Sequence, residues 1–138
     1  MLPAPFYYPF RLRLHDTDAA GRLFFGHLFR YVQDALEAFM EQIGYPLDAL
    51  LRDGEMLLPL THAEADYRRP MRHGDHIRVQ VSVVELRRRS FALGYRFLNA
   101  ADDELATART VHVLVMHDTQ LGEALPDALR VALAQRLI

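Results

Sequence analysis

The fold is decided by positions 11–39, RLRLHDTDAAGRLFFGHLFRYVQDALEAF. Apolar and polar residues alternate through the start of this stretch, and we predict a half-buried strand over residues 6–15. From residue 26 to 43 the apolar residues instead recur every three or four positions, which indicates an amphipathic helix. Between the two patterns lie Asp16 and Asp18, followed by Gly21. A turn requires only one acid, so the second carboxylate is a candidate for chemistry.

The helix has one apolar face and one charged face. The apolar face is predicted to be buried and consists of Phe29, Val32, Leu36, Phe39 and Ile43. On the opposite face Arg30 and Asp34 are spaced for an ion pair one helical turn apart. Gly44 followed by Pro46 ends the helix, and a short helical turn is expected within residues 45–54.

The remainder of the chain is predicted to be mostly strand. Alternating apolar residues place strands at 57–67, 77–83, 91–97 and 105–117, and a short helix follows at 126–137. This order predicts an α+β fold in which a five-stranded antiparallel sheet wraps around one long helix, with residues 1–138 as a single domain. The uncovered sheet edge favours self-association.

Composition excludes several classes of function. The 138 residues include no cysteine and no lysine, so thiol and Schiff-base chemistry are absent. The only serines are Ser82 and Ser90, neither of which lies in a serine-hydrolase elbow. A net charge of -2 does not indicate nucleic-acid binding. No apolar run approaches the roughly 18 residues of a membrane span, and no signal peptide is recognised, so we expect a cytoplasmic protein.

Several motifs together resemble a known family. They are Asp16–Gly21 (DTDAAG), Phe24-Phe25, 58–60 (LPL), 67–70 (YRRP) and Gly74-Asp75. The chain is similar to hotdog-fold acyl-CoA thioesterases of the 4-hydroxybenzoyl-CoA thioesterase family. This resemblance implies Asp18 as the catalytic carboxylate and no metal or organic cofactor. It also implies a homo-oligomer, either a dimer or a dimer of dimers (a homotetramer), with active sites between subunits.

Asp18 suits thioester hydrolysis in two ways. It could attack the carbonyl carbon to form a mixed anhydride, or activate water as a general base. Backbone N–H groups at a helix start or turn would polarise the carbonyl; the resemblance places them near Leu57 and Leu58 of the neighbouring subunit. The alternative for both Asp16 and Asp18 is a purely structural role, in which each caps a turn. That alternative is favoured for Asp16.

A basic run at 87–90 is the candidate coenzyme A site. Arg87, Arg88 and Arg89 can form forked hydrogen bonds to phosphate oxygens, and with Ser90 they resemble the run that binds coenzyme A in aromatic-acyl members of the family. The alternative is a solvated turn between two strands.

The acyl group is predicted from Phe24 and Phe25, which favour a planar aromatic ring, and from the stretch around His62, which resembles 1,4-dihydroxy-2-naphthoyl-CoA thioesterases. An aliphatic short- or medium-chain substrate, or an acyl-carrier thioester, remains an alternative. So do a non-catalytic acyl-CoA-binding module and a hydratase.

Two groups of histidines suggest a metal only weakly. One is His73 with His76, the other is His15 near Asp18, and neither has a third well-spaced ligand.

Overall fold

The computed structural model describes residues 3–138. Its strands are β1 (Phe6–Arg11), β2 (Met56–Leu57), β3 (Leu60–Tyr67), β4 (His76–Leu86), β5 (Ser90–Leu98), β6 (Glu104–Val113) and β7 (Val115–Met116). Its α-helices are α1 (Leu28–Gln42), α2 (Leu47–Leu50) and α3 (Asp127–Ala134). Two short 3-10 turns cover Leu14–Asp16 and Phe25–His27.

Five strands form the main sheet in the order β1-β4-β5-β6-β3. All neighbouring pairs are antiparallel, and β2 and β7 form a separate small pair. The predicted α+β arrangement is confirmed: one sheet curves around one long helix. Two of its strands, β1 and β3, lie at edges of the sheet within the chain.

The core lies between α1 and the concave face of the sheet. Buried residues on α1 are Leu28, Tyr31, Val32, Ala35, Leu36, Phe39 and Met40. They face alternate residues of β4 and β5, among them Ile77, Val79, Val81, Val83, Phe91, Leu93, Tyr95 and Phe97. Each fully buried side chain of this size stabilises the fold by about 1.5–3 kcal/mol, so this contact fixes the helix across the sheet.

Two details of the predicted helix are wrong. Phe29 is 37% exposed rather than buried, because the apolar face is centred on Tyr31, Ala35 and Phe39. Arg30 pairs with Asp16 instead of Asp34. The loop before the helix folds back on the first helical turn, and it brings the Asp16 carboxylate to the Arg30 guanidinium.

The predicted strand ends also shift. The first strand stops at Arg11, and Leu14–Asp16 form a 3-10 turn. The stretch predicted as 57–67 divides into β2 and β3 around Pro59, which has no N–H to donate to a ladder. The last predicted strand is interrupted at the buried Leu114, and it resumes as β7, which pairs with β2 instead of β5.

Two further features position the site. Every residue of β3 is exposed except Ala65, which is half-buried, so this edge strand has little contact with the core. The C-terminal helix α3 packs on the sheet through buried Leu129 and Leu133. In residues 3–138, no helix is both long enough and apolar enough to span a bilayer.

Candidate active site at the start of the long helix

Asp18 lies in an exposed turn that holds one of its carboxylate oxygens and leaves the other open. Oδ1 accepts hydrogen bonds from the N–H groups of Ala20 at 2.9 Å and Arg22 at 3.2 Å. Gly21 completes the turn with φ +75°, a conformation that favours glycine. Oδ2 has no hydrogen-bond partner within residues 3–138. A structural role and a chemical role of Asp18 are therefore compatible, since Oδ1 caps the turn and Oδ2 is unpaired.

Asp16 is buried and has a different set of partners. Its Oδ1 accepts a hydrogen bond from Arg30 and its Oδ2 from the Tyr31 hydroxyl. Burial alone opposes ionisation, but the hydrogen bonds from Tyr31 and Arg30 outweigh it and lower the pKa of Asp16. The Asp16 carbonyl also accepts from the Phe24 N–H at 2.9 Å. Oδ2 also accepts from the Arg13 N–H at 3.4 Å, a long backbone contact of the kind that turn capping predicts. Asp16 therefore connects the loop to α1 mainly through side-chain partners.

The start of the helix brings hydrogen-bond donors and aromatic rings together. Phe25 and Gly26 contribute the first N–H groups of the helical segment, which have no partner in the described chain. The Tyr67 hydroxyl donates to the Phe25 carbonyl. The rings of Phe24 and Phe25 lie 4.8 Å apart and are 42% and 68% exposed. A Cβ on Gly26 would meet the Phe24 ring at 3.0 Å, so glycine permits this aromatic packing.

The unpaired N–H groups at this helix start are suited to polarise a carbonyl group. The N-terminal end of a helix carries partial positive charge and unpaired N–H groups, which stabilise a developing anion. The sequence predicts a donor at a helix start or turn, and the family resemblance places that donor near Leu57 and Leu58 of a neighbouring subunit. The signal for Phe25 and Gly26 was the change of period immediately after the DTDAAG turn.

A shallow cleft of about 270 Å³ contains Asp18. Its walls include Arg22, Leu23, Tyr67 and the segment 68–71. Arg68 pairs with Glu104 at 3.1 Å and Arg69 with Asp103 at 3.2 Å, so part of the surrounding positive charge is compensated. Burial raises the pKa of Tyr67, which keeps this hydroxyl protonated as a donor.

Leu57, Leu58 and His62 lie elsewhere in the same chain. Leu57 pairs with Val115 in the small β2-β7 ladder. Leu58 lines a different cavity, beneath α1 and α2. His62 is exposed on β3, with Nε2 at 3.2 Å from Glu64 Oε1. Within one chain, the structure does not bring these predicted substrate residues into the Asp18 cleft.

The basic run is exposed and lies at the far end of the sheet. Arg87, Arg88 and Arg89 form the connection between β4 and β5, and Ser90 begins β5. The Asp18 cleft includes Pro70 and Met71, just before β4 begins. The 11 residues of β4 separate the two places; at roughly 3.3 Å per residue this is about 30 Å. One chain therefore does not join the carboxylate and the three arginines in a compact site.

The backbone of this basic turn is well supported. The carbonyl of Arg88 accepts from the Leu125 N–H at 2.9 Å and from Arg130 at 2.9 Å. The Arg87 side chain pairs with Glu85 at 2.6 Å. Arg88 and Arg89 are exposed and have no ion pair within residues 3–138, and the Arg89 side chain lies beside Gly122. Among those same residues, no group of three or more His, Asp or Glu side chains is arranged to hold a metal ion.

Comparison with known proteins identifies close relatives over most of the chain. Residues 12–133 match the Thioesterase-like superfamily. A 1,4-dihydroxy-2-naphthoyl-CoA hydrolase of Synechococcus elongatus is 35% identical over 120 residues, which are 86% of this chain and 88% of that protein. The corresponding hydrolase of Rippkaea orientalis is 34% identical over 120 residues, 86% of this chain and 87% of that protein.

Two solved thioesterase structures are similar to this chain over most of its length. A 1,4-dihydroxy-2-naphthoyl-CoA thioesterase from Synechocystis superposes with a TM-score of 0.88 at 26% identity, covering 95% of this chain and 96% of that one. A gentisyl-coenzyme A thioesterase superposes with a TM-score of 0.80 at 27% identity, covering 93% and 98% of the two chains.

Proposed function

Because the chain belongs to the Thioesterase-like superfamily and is a thioester hydrolase of the hotdog fold, we propose that it cleaves an aromatic acyl-CoA with Asp18 as its catalytic carboxylate. The observation that carries this proposal is the free Oδ2 of Asp18, held by a turn that leads directly into the helix start. One short segment thus carries an oxygen nucleophile or base, an anion-stabilising helix end and an aromatic wall.

Two routes of hydrolysis fit this geometry. In the first, Oδ2 of Asp18 attacks the thioester carbon, the tetrahedral oxyanion collapses with loss of the coenzyme A thiolate, and water hydrolyses the resulting mixed anhydride. In the second, Oδ2 removes a proton from water as that water attacks the same carbon, and the tetrahedral oxyanion then collapses with loss of the coenzyme A thiolate, which takes up the proton held by Asp18. In both routes the N–H groups of Phe25 and Gly26 would stabilise the oxyanion, alone or with those near Leu57 and Leu58 of a neighbouring chain.

The proposed acyl group is a hydroxylated aromatic ring. Phe24 and Phe25 expose ring surface beside the turn, which favours a planar partner. The relatives named above act on 1,4-dihydroxy-2-naphthoyl-CoA and gentisyl-CoA. A medium-length aliphatic chain is the second candidate, because an apolar pocket discriminates by only about 1–3 kcal/mol for each methylene-sized difference.

The complete site is proposed to form between chains. Asp18 and the arginines at 87–89 lie at opposite ends of one sheet, and the exposed edge strand β3 offers unpaired backbone groups to a second copy. A dimer or a dimer of dimers would place Leu57, Leu58 and His62 of one copy near Asp18 of another. In this arrangement Arg87, Arg88, Arg89 and Ser90 bind the phosphates of coenzyme A, and residues 1–138 act as one domain.

A panel of acyl-CoA thioesters, assayed for thiol release with wild type and Asp18→Asn, tests this proposal. The panel contains 1,4-dihydroxy-2-naphthoyl-, 4-hydroxybenzoyl-, octanoyl- and butyryl-CoA. We expect higher kcat/KM for the aromatic esters and a loss of kcat by orders of magnitude in Asp18→Asn. If the variant retained more than about a tenth of wild-type kcat, a cost below roughly 1.4 kcal/mol, Asp18 would not be the catalytic carboxylate. A preference for butyryl-CoA would contradict the aromatic acyl group alone.

A further inference from the structure

A second cavity, separate from the Asp18 cleft, lies between α1 and the β3-β6 edge of the sheet. It has a volume of about 270 Å³, close to the lower end of the roughly 300–1,000 Å³ typical of small-molecule sites. Its lining on the helix side is apolar except for Gln33, an exposed residue of α1, and the sheet side adds Thr110 and His112. A β-bulge between Leu60 and His62 turns both Leu60 and Ala63 toward this space.

His112 is the unusual residue of this cavity. It is only 4% exposed, and its ring stacks on Phe91 with centroids 5.4 Å apart. Nε2 lies 2.8 Å from Thr110 Oγ1, which in turn lies 2.8 Å from the Tyr95 hydroxyl. Nδ1 has no hydrogen-bond partner within residues 3–138. Every fully buried side-chain nitrogen or oxygen in those residues has a partner, so Nδ1 is not fully buried. Nδ1 therefore meets open space, and that space is the cavity.

The hydrogen bonds of the three side chains indicate which nitrogen carries the proton. Tyr95 is 1% exposed, and within residues 3–138 its hydroxyl has Thr110 as its only side-chain partner. If Tyr95 donates to Thr110, and Thr110 donates to Nε2 of His112, both hydroxyl protons are used. In every arrangement in which Nε2 donates to Thr110, the hydroxyl proton of either Tyr95 or Thr110 has no side-chain acceptor within residues 3–138, which costs about 1–3 kcal/mol. The favoured arrangement places the proton of neutral His112 on Nδ1, as a donor facing the cavity.

The surroundings select a neutral ligand. Burial lowers the pKa of His112 to about 4, so the ring is uncharged at neutral pH and offers no attraction to phosphate or carboxylate. The cavity walls are mostly leucine, valine and phenylalanine, which favour a flat apolar group. Nδ1 of His112, the buried donor of this cavity, matches an oxygen atom carried by such a group.

We propose that His112 determines acyl specificity by donating a hydrogen bond from Nδ1 to a ring oxygen of a hydroxylated aromatic acyl group that occupies this cavity. The inference rests on the proposed function, because it takes the acyl group of that thioester as the ligand. Leu58 and Leu60 line the same space, so the segment predicted to touch the substrate borders it. Because the proposed function places Leu58 of one copy near Asp18 of another, the cavity of one copy would receive the acyl group of a thioester cleaved by Asp18 of its neighbour. Thr110 and Tyr95 act as positioning residues that hold the His112 ring and its tautomer.

Kinetic discrimination tests this role. The substrates are 1,4-dihydroxy-2-naphthoyl-CoA and 1-hydroxy-2-naphthoyl-CoA, which differ by one ring oxygen. In His112→Leu we expect kcat/KM for the dihydroxy ester to fall about tenfold and that for the monohydroxy ester to change less than about twofold, the effect of one lost hydrogen bond. His112→Asn, which keeps a donor near the Nδ1 position, should recover part of the loss. His76→Leu, an exposed histidine at the other end of the sheet, should leave the ratio unchanged.

Nuclear magnetic resonance of the 15N-labelled wild-type protein provides a readout that does not depend on turnover. We expect the His112 proton on Nδ1 at pH 7, and a shift of the Nδ1 resonance on adding 1,4-dihydroxy-2-naphthoate under anaerobic conditions but not on adding 2-naphthoate. A proton on Nε2, equal responses to both acids, or equal losses for both esters in His112→Leu would overturn the proposal. Absence of any thioester hydrolysis would instead refute the proposed function, and the resonance test would still decide the binding role. It also decides the case if His112→Leu fails to fold.

Discussion

The carboxylate of Asp16 and the guanidinium of Arg30 join the loop before α1 to the first turn of α1. Asp16 is fully buried, and Tyr31 satisfies its second oxygen. The same residue accepts the Phe24 N–H through its carbonyl, so its position governs both the Asp18 turn and the helix start. The first acid of the DTDAAG motif orders the segment in which the second acid lies.

Replacing Asp16 should weaken the fold in a pH-dependent way. Asp16→Asn removes the charge that pairs with Arg30 and should lower the free energy of unfolding by about 1–3 kcal/mol at pH 7, while reducing kcat less than Asp18→Asn does. The lowered pKa of Asp16 means that its stabilisation is complete above about pH 4 and disappears as pH falls through the still lower folded-state value. Urea unfolding of both proteins between pH 7 and pH 3 measures this. A difference in stability that stayed constant down to pH 3 would contradict the ion pair.

His112 should contribute a second pH dependence in a different range. Burial lowers its pKa to about 4 from an ordinary value of 6.5, so between these values the unfolded chain binds a proton that the folded chain does not. Stability should therefore fall as pH drops from about 6.5 to 4. His112→Asn, compared with wild type by thermal unfolding across this range, should show a smaller decline. Parallel declines in the two proteins would show that His112 is not buried as a neutral ring.

Removing the basic turn should affect substrates that carry the nucleotide. The triple substitution Arg87→Ala, Arg88→Ala and Arg89→Ala should raise KM for acyl-CoA about tenfold or more, because charge-assisted hydrogen bonds to phosphate are lost. The corresponding N-acetylcysteamine thioester, which lacks the nucleotide, should show little change. Arg78→Ala, on the outer face of the sheet and paired with Asp102, is the matched control. Equal effects on both thioesters would indicate a structural role for the turn.

Association through β3 should be visible by light scattering. Wild type should have a mass of two or four times the 15.9 kDa chain. The double substitution Thr61→Glu and His62→Glu adds like charges next to Glu64 on the exposed edge and should shift the mass toward 15.9 kDa with loss of activity. Val131→Glu, at an exposed site on α3, should not change the mass. A wild-type monomer with full activity would remove the need for a site shared between chains.

Local patterns account for what could be predicted of the fold. The change from alternating to three-and-four spacing after residue 21 identified the long helix, and the later alternations identified the sheet, because backbone geometry sets both periods. Predicted ends were less accurate. Leu114 continues an alternating pattern, yet the two residues after it pair with β2 instead of β5, and no local pattern carries such a change of partner.

The same difference between local patterns and contacts in space applies to the candidate site. Asp18, the aromatic pair and the arginine run stand out as residue types in a short motif, and so the sequence by itself determined a thioesterase-like chain with a carboxylate before its helix. Only the tertiary structure decided that Arg30 pairs with Asp16 instead of Asp34, that one oxygen of Asp18 stays open, and that His112 turns an unpaired nitrogen into a cavity. Each of these depends on which groups meet across the sheet and helix, because hydrogen bonding and burial are properties of neighbours in space rather than neighbours along the chain.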